Sequence, residues 1–130
     1  MKHHQRKLPK GVTLLELTVV ILVLLSLMGI LFVGARAWKS GSDRSNCIIN
    51  IRNIQQAVRS HQNLNGLADG TSLDVAADLT GPTNYLGATA TCPAGGTYTY
   101  ESTIPTPGTL MTTCSFETTF NHVPVNYAGW

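Results

Sequence analysis

The feature that most restricts the fold of this chain is an apolar run near its N-terminus. From Leu17 to Ala35, nineteen consecutive residues carry no charged side chain. A helix of that length rises about 29 Å, close to the roughly 30 Å hydrocarbon thickness of a bilayer. Inside a bilayer, a single segment satisfies its own backbone hydrogen bonds only as a helix. The run therefore predicts one membrane-spanning helix over residues 12–35.

The charged side chains are distributed unevenly around this run. Residues 1–11 carry four basic side chains and no acid, whereas the rest of the chain carries five basic and seven acidic side chains. A short basic block at a terminus is typical of the cytoplasmic end of a membrane helix, and we expect no nucleic acid partner. The roughly 95 residues after the predicted membrane helix suffice for one modest core, which excludes a large multidomain enzyme.

A single acidic residue, Glu16, lies within the predicted membrane helix, directly before the uncharged run. An ionised carboxylate at the centre of a membrane helix costs roughly 2.5–3.5 kcal/mol, and somewhat less near the interface, so such an acid usually has a partner. One candidate partner is the nearby Lys10. The other is the α-amino group that a cut just before Val12 would create, four residues from Glu16.

Residues 10–16, with the sequence KGVTLLE, are followed at once by LTVVILVLLSL. This stretch resembles the prepilin motif of type IV pilins and of the pseudopilins of type II secretion. The resemblance implies that residues 1–11 are a leader, which a prepilin peptidase removes between Gly11 and Val12. It also implies N-methylation of Val12, a position at which the family usually has Phe. Glu16 would then meet the amino group of Val12 on a neighbouring subunit and set the register of assembly.

For function, the resemblance implies a structural subunit of a type II secretion pseudopilus or of a type IV pilus. Its expected partners are identical or related pilin-like subunits, the prepilin peptidase, an inner-membrane assembly platform and the lipid bilayer. We expect a single pass through the bacterial inner membrane with an extracytoplasmic C-terminal region, followed by incorporation into a periplasmic or surface filament. The alternative is an uncleaved single-pass membrane protein with a small extracytoplasmic binding domain.

Residues 36–66 are predicted to continue the helix in amphipathic form. After a polar interruption at residues 40–43, which either caps a new helix or lies within a continuous one, side chains recur at spacings of three and four residues. These side chains are Cys47, Ile51, Ile54, Val58 and His61. Gln55 is predicted to lie off this stripe, and Asn65 or Gly66 to provide the left-handed C-terminal cap. The result is one N-terminal helix of about 50 residues.

The C-terminal region, residues 67–130, is predicted to form a small sheet against that stripe. Residues 72–79 favour a short helix or turn capped by Ser72. Residues 97–103 and 110–120 are rich in β-forming residues and predict two strands, with residues 123–127 as a possible third. The predicted fold class is α+β and pilin-like, with a long N-terminal helix packed on a small antiparallel sheet.

Two of the three cysteines lie in this region, Cys92 before the first predicted strand and Cys114 within the second. Outside the cytoplasm a disulfide between them is expected, and closing a loop of 23 residues would stabilise the fold by about 3 kcal/mol on the chain-entropy model. The rival interpretation is a metal site built from Cys92, Cys114, His122 and Cys47. Because no CxxC or HxxxH spacing is present, the disulfide is preferred, and Cys47 is interpreted as a buried apolar residue.

The sequence offers no pattern typical of catalysis. It contains no recognisable pairing of a nucleophile with a base, and Gly95–Gly96 lacks the lysine and the strand–loop–helix context of a phosphate-binding loop. We therefore expect no cofactor, no metal and no enzymatic activity. The sequence predicts a structural or binding protein.

Overall fold

The computed structural model describes residues 11–130, so the predicted leader lies outside the described residues except for Gly11. The described elements are helix α1 (Leu14–Asn65), a π-helical turn (Val75–Leu79), strand β1 (Tyr98–Tyr100), strand β2 (Thr112–Cys114) and helix α2 (Glu117–Phe120). The chain divides into two compact units, one ending at Trp38 and the other comprising Lys39–Trp130. The long helix and the small antiparallel sheet confirm the predicted α+β class.

In the first unit, helix α1 exposes its apolar side chains. The large apolar residues from Leu14 to Val33 are between 47% and 82% exposed. Within the described residues, α1 is the one helix that is long and apolar enough to cross a membrane. A contiguous apolar surface of this size is not stable in water and needs an apolar environment, from lipid or from protein.

Helix α1 continues through the polar interruption that the sequence contains. Within the second unit, the Ser45 hydroxyl donates to the carbonyl of Gly41 at 3.0 Å, and Lys39 pairs with Asp43 at 3.2 Å. These contacts, one turn apart, are compatible with uninterrupted helical geometry. The prediction of one helix of about 50 residues is therefore confirmed, since α1 comprises 52 residues.

The end of α1 is set by Gly66. This residue has a φ of +62°, and the N–H of Leu67 donates to the carbonyl of Gln62 at 3.0 Å. The left-handed glycine and the backward hydrogen bond together form a Schellman motif, in which glycine avoids the steric cost that a Cβ would cause. Gly66 is thus the C-terminal cap, one of the two predicted residues.

The apolar stripe of α1 forms the core of the second unit. One buried cluster combines Ile54, Ala57 and Val58 with residues from the C-terminal region, namely Leu73, Val75, Leu79, Ile104 and Met111. The second buried cluster consists of Cys47, Ile51, Cys92 and Cys114. His61, at the end of the predicted stripe, is only partly buried. The helix stripe therefore packs against the region that contains the sheet, as predicted.

Gln55 corrects one detail of the predicted stripe. It was expected to lie off the apolar face but is only 2% exposed. Its Nε2 donates to the carbonyl of Thr109 at 3.1 Å, and its Oε1 accepts from the N–H of Met111 at 2.9 Å. Because the amide satisfies backbone groups of the segment that leads into β2, burial of this polar side chain is compensated.

The sheet is smaller than the sequence predicts. β1 and β2 are antiparallel, with Tyr98 opposite Cys114 and Tyr100 opposite Thr112. The strand predicted over residues 110–120 is wrong for its last part, since Glu117–Phe120 form α2. The third strand, predicted over residues 123–127, is absent from the described structure, where these residues are irregular.

Aromatic packing explains why the chain turns at α2 rather than extending the strand. The ring of Phe116 makes edge-to-face contacts with Phe120 and His122, with centroids 5.1 and 5.7 Å apart. Asn121, with a φ of +58°, then ends the helical turn in the left-handed conformation, which asparagine tolerates. Local aromatic contacts of this kind outweigh the β preference of the threonines, because β propensity depends strongly on context.

The segment before the sheet contains the predicted helical turn, but its cap differs. Asp74 rather than Ser72 is the N-cap of the turn, and its carboxylate accepts from the N–H groups of Ala76 and Ala77 at 2.9 and 3.2 Å. Asp78 accepts from the N–H of Asp74 at 2.8 Å. The two carboxylates thus satisfy the N–H groups that a helical start leaves free.

Candidate functional site

The first candidate site is the N-terminal end of α1. The hydroxyl of Thr13 accepts from the N–H of Glu16 at 3.3 Å, and Oε2 of Glu16 accepts from both the N–H and the hydroxyl of Thr13 at 3.4 Å. This reciprocal arrangement is a capping box, whose signature T-x-x-E is present in the sequence. Sequence analysis sought only a cation for Glu16 and missed this local partner.

The predicted cleavage residues lie just before this cap. Gly11 and Val12 precede the first helical residue, Leu14, and are not part of a helix or strand. Both are exposed, Val12 by 72%. Lys10, the other proposed partner of Glu16, lies outside the described residues.

The second candidate site is a group of four buried side chains, which we call the cysteine–histidine cluster. It consists of Cys47, Cys92, Cys114 and His122. One ligand atom from each residue lies within 4.8 Å of all the others, and Sγ of Cys92 is 3.5 Å from Nδ1 of His122. The four residues come from four separate segments: α1, the loop before β1, the end of β2 and the segment after α2.

Tyr98 and Asn50 hold the loop that carries Cys92 against α1. The Tyr98 hydroxyl lies 3.3 Å from Sγ of Cys47 and 3.4 Å from the Cys47 carbonyl. The side-chain amide of Asn50 donates to the carbonyl of Thr91 at 3.2 Å and to the Tyr98 hydroxyl at 3.4 Å. Since Tyr98 pairs with Cys114 across the sheet, the same residue connects β1 to two members of the cluster.

The turn after Cys92 has two glycines with separate functions. Gly95 has a φ of +88° and donates its N–H to the Cys92 carbonyl at 2.9 Å. A Cβ at Gly96 would lie 3.1 Å from Sγ of Cys114 and 3.0 Å from the ring of Phe116. Gly95 thus permits the turn, and Gly96 permits its close approach to the cluster.

His122 is held in the cluster by Phe116. The N–H of His122 donates to the carbonyl of Phe116 at 3.2 Å, in addition to the ring contact between the two side chains. His122 is only 3% exposed. Burial of an imidazole this close to a sulfur is typical of a histidine with a defined partner.

The three thiols differ in acidity. Burial raises the pKa of Cys47 to about 12, although the hydrogen bond from Tyr98 opposes this. Burial also acts to raise the pKa of Cys92, but the N–H groups of Ala94 and Gly96, together with the side chains of Cys47 and Cys114, outweigh it, so this pKa is lowered. For Cys114, burial outweighs the N–H of Phe116, and the pKa is raised. Cys92 is therefore the most acidic of the three thiols.

The structure brings together more residues than the predicted disulfide requires. Cys92 and Cys114 are neighbours, but Cys47 and His122 also lie within 4.8 Å of them, and all three cysteines are free thiols. The Cys92–Cys114 disulfide thus stays a prediction. No local spacing in the sequence indicates a four-residue site, because each member comes from a different segment.

Comparison with protein-family models, with curated proteins and with solved structures finds no match for this chain. Over residues 11–130 the fold is that of an α+β protein, in which one helix is long and apolar enough to cross a membrane. An assignment of the chain to a protein family depends on the motif at residues 10–16 and on the exposed apolar helix that follows it.

Proposed function

We propose that this chain is a pilin-like structural subunit of a type II secretion pseudopilus or a type IV pilus-type filament, without a catalytic role. A prepilin peptidase would cleave it between Gly11 and Val12, and an inner-membrane assembly platform would polymerise it through α1. The observation that carries this proposal is the exposed apolar half of α1, which directly follows the residues that resemble a prepilin motif.

The exposed surface of α1 supports assembly as well as membrane insertion. Leaving a large apolar side chain fully exposed to water costs about 1.5–3 kcal/mol of free energy relative to burying it. Every large apolar residue from Leu14 to Val33 is exposed. Lipid covers this surface before assembly. In a filament the same surface of other copies would cover it, so that the helix moves between two apolar environments without exposure to water.

The position of the cleavage bond also supports the proposal. A peptidase needs an extended and accessible substrate backbone, and Gly11–Val12 lies before the helix with both residues exposed. Cleavage there leaves the capping residue Thr13 in place as the second residue of the mature chain. The helix start would thus be preserved after processing.

Glu16 can serve the capping box and a neighbouring subunit at the same time. Among the described residues, the hydrogen bonds to its carboxylate both use Oε2. A carboxylate has acceptor sites on both oxygens, so Oε1 can accept from the α-amino group of Val12 on an adjacent copy. Such a pair would offset the cost of a carboxylate in an apolar filament core and fix the register between subunits.

Three variants separate the roles of Glu16. Glu16→Gln keeps a capping side chain at this position but removes the charge, whereas Glu16→Ala removes both. Thr13→Ala removes the cap and keeps the carboxylate. The proposal predicts that Glu16→Gln and Glu16→Ala both insert into the membrane but fail to form filaments, while Thr13→Ala assembles. Filaments formed normally by Glu16→Gln would contradict the charge-pairing role.

A leader-processing assay tests the cleavage itself. The full-length chain is expressed with a prepilin peptidase, and the shift in mass is measured for the wild type, for Gly11→Leu and for the control Gly29→Ala. Gly29 has open space around it, so its substitution should leave processing intact. Cleavage of the wild type and of Gly29→Ala, but not of Gly11→Leu, is expected. An uncleaved wild type would favour the single-pass anchored protein instead.

A further inference from the structure

The cysteine–histidine cluster has the composition of a metal site. Three sulfurs and one imidazole nitrogen, all buried, converge from four segments of the second unit. We propose that Cys47, Cys92, Cys114 and His122 bind one Zn²⁺ ion as a tetrahedral structural centre. This proposal does not depend on leader cleavage or on polymerisation.

The distances within the cluster suit this ion. With Zn–S bonds of about 2.3 Å and a Zn–N bond of about 2.0–2.1 Å, the ligand atoms of a tetrahedral site lie about 3.5–3.8 Å apart. The Cys92–His122 separation of 3.5 Å already has this value, and the remaining ligand atoms lie within 4.8 Å of one another. Adjustments of about 1 Å or less would complete the site. A set of three cysteines and one histidine is common in structural zinc centres.

The composition of the cluster favours a metal over a disulfide. A disulfide uses two sulfurs at about 2.05 Å and leaves a third buried thiol and a buried imidazole beside it. A zinc ion uses all four groups. It also accounts for the burial of His122, which a disulfide between any two of the cysteines would leave unexplained.

Each sulfur has a hydrogen-bond donor next to it, as zinc thiolates usually do. The N–H groups of Ala94 and Gly96 interact with Cys92, and the N–H of Phe116 interacts with Cys114. The hydroxyl of Tyr98 lies 3.3 Å from Sγ of Cys47. Such donors orient metal ligands and stabilise their negative charge.

Binding would be balanced by proton release. Three thiols lose their protons to solvent, and three thiolates with a neutral histidine and Zn²⁺ give the centre a net charge of −1. Nδ1 of His122 would be the metal ligand, because it is the ring nitrogen that faces Cys92. No oxidant or reductant takes part.

The site would hold together a unit with little regular structure. Its two strands have three residues each, and a two-stranded sheet of that length is marginal by itself. Zinc would connect α1, the loop before β1, the end of β2 and the segment after α2. Removal of the metal is therefore expected to loosen the second unit while the apolar half of α1 stays helical.

The test uses the full-length protein, purified in detergent under reducing and anaerobic conditions. We expect one zinc ion per chain by elemental analysis. After chelation, titration with Co²⁺ alone should produce the intense ligand-field bands of a tetrahedral thiolate site and thiolate-to-cobalt charge-transfer bands, and added Zn²⁺ should abolish them. These spectra need no variant and thus do not depend on whether a mutant folds.

Histidine variants test the fourth ligand. His122→Ala should weaken Co²⁺ binding by roughly tenfold or more and shift the ligand-field bands. The matched control is His61→Ala, which removes a partly buried histidine of α1 outside the cluster and should bind as the wild type does. Equal affinities for His122→Ala and His61→Ala would overturn the four-ligand site.

Two further results would overturn the proposal outright. One is a reduced wild-type protein that takes up neither Co²⁺ nor Zn²⁺. The other is a disulfide between any two of the cysteines in protein isolated from its native membrane with its thiols blocked during extraction. Three free thiols after removal of zinc, together with the cobalt spectrum, would support the proposal.

Discussion

Replacement of Gln55 by methionine should destabilise the second unit strongly although the two side chains have similar size. The amide of Gln55 accepts from the N–H of Met111 at 2.9 Å and donates to the carbonyl of Thr109 at 3.1 Å. Methionine can make neither hydrogen bond. Met111 is fully buried, so its N–H would have no access to water.

The size of the expected stability loss follows from the two backbone groups, the N–H of Met111 and the carbonyl of Thr109, that would be left without their hydrogen-bond partner. An unsatisfied buried donor costs about 1–3 kcal/mol, and a hydrogen bond that water can replace contributes about 1 kcal/mol or less. The Thr109 residue is exposed, so its carbonyl belongs to the second category. We therefore expect Gln55→Met to lower the free energy of unfolding by about 2–3 kcal/mol.

The assay is urea unfolding of the full-length protein in detergent. Trp130 fluorescence reports on the second unit if the exposed Trp38 is first replaced by phenylalanine. With a urea dependence of about 1–3 kcal/mol per molar, the midpoint should fall by about 0.7–3 M. The control is Gln56→Met on the exposed neighbouring position, expected to change stability by less than about 0.5 kcal/mol. Coincident midpoints for the two variants would refute the bridging role of Gln55.

Three further outcomes are expected from the same unfolding assay. Gly96→Ala should lower stability by about 1–3 kcal/mol through overpacking, because its Cβ would lie 3.0–3.1 Å from Phe116 and Cys114; a midpoint equal to wild type would contradict this close approach. Asp74→Ala should cost about 1 kcal/mol as a lost N-cap, whereas Asp74→Asn should cost less, and equal losses would argue against the capping role. Burial raises the pKa of Tyr100, so the folded state holds the phenol proton more tightly than the unfolded state does. The contribution of Tyr100 to stability should therefore be complete below about pH 10 and should fall as the pH rises beyond it. Tyr100→Phe should make the urea midpoint less sensitive to alkaline pH, and an unchanged sensitivity would refute this assignment.

The long helix could be predicted from sequence because its signals are local. The apolar run, the stripe from Cys47 to Val58 and the terminal Gly66 each depend on spacing along one segment. The capping box at Thr13 and Glu16 is equally local, and its T-x-x-E pattern is readable from the sequence.

The sheet and the cluster could be predicted only in part, because they depend on side-chain contacts that the periodicity and residue composition of single segments do not indicate. The threonines around Phe116 favour a strand by composition, yet packing of Phe116 on Phe120 and His122 produces a helical turn. Gln55 could not be recognised as buried because its partners are backbone groups more than 50 residues away. For the same reason, the grouping of Cys47 and His122 with Cys92 and Cys114 was only the rival interpretation of the sequence, because the four residues come from separate segments and show no metal-ligand spacing.

The central claim of this account is that the mature protein begins at Val12 and assembles through α1. The most direct measurement is the intact mass of the protein extracted from its native membrane, together with sequencing of its N-terminal peptide. We predict a chain that begins at Val12, heavier by one methylene group where the amine is methylated. A chain that still carries residues 1–11 would contradict the account and identify the apolar helix as a permanent anchor.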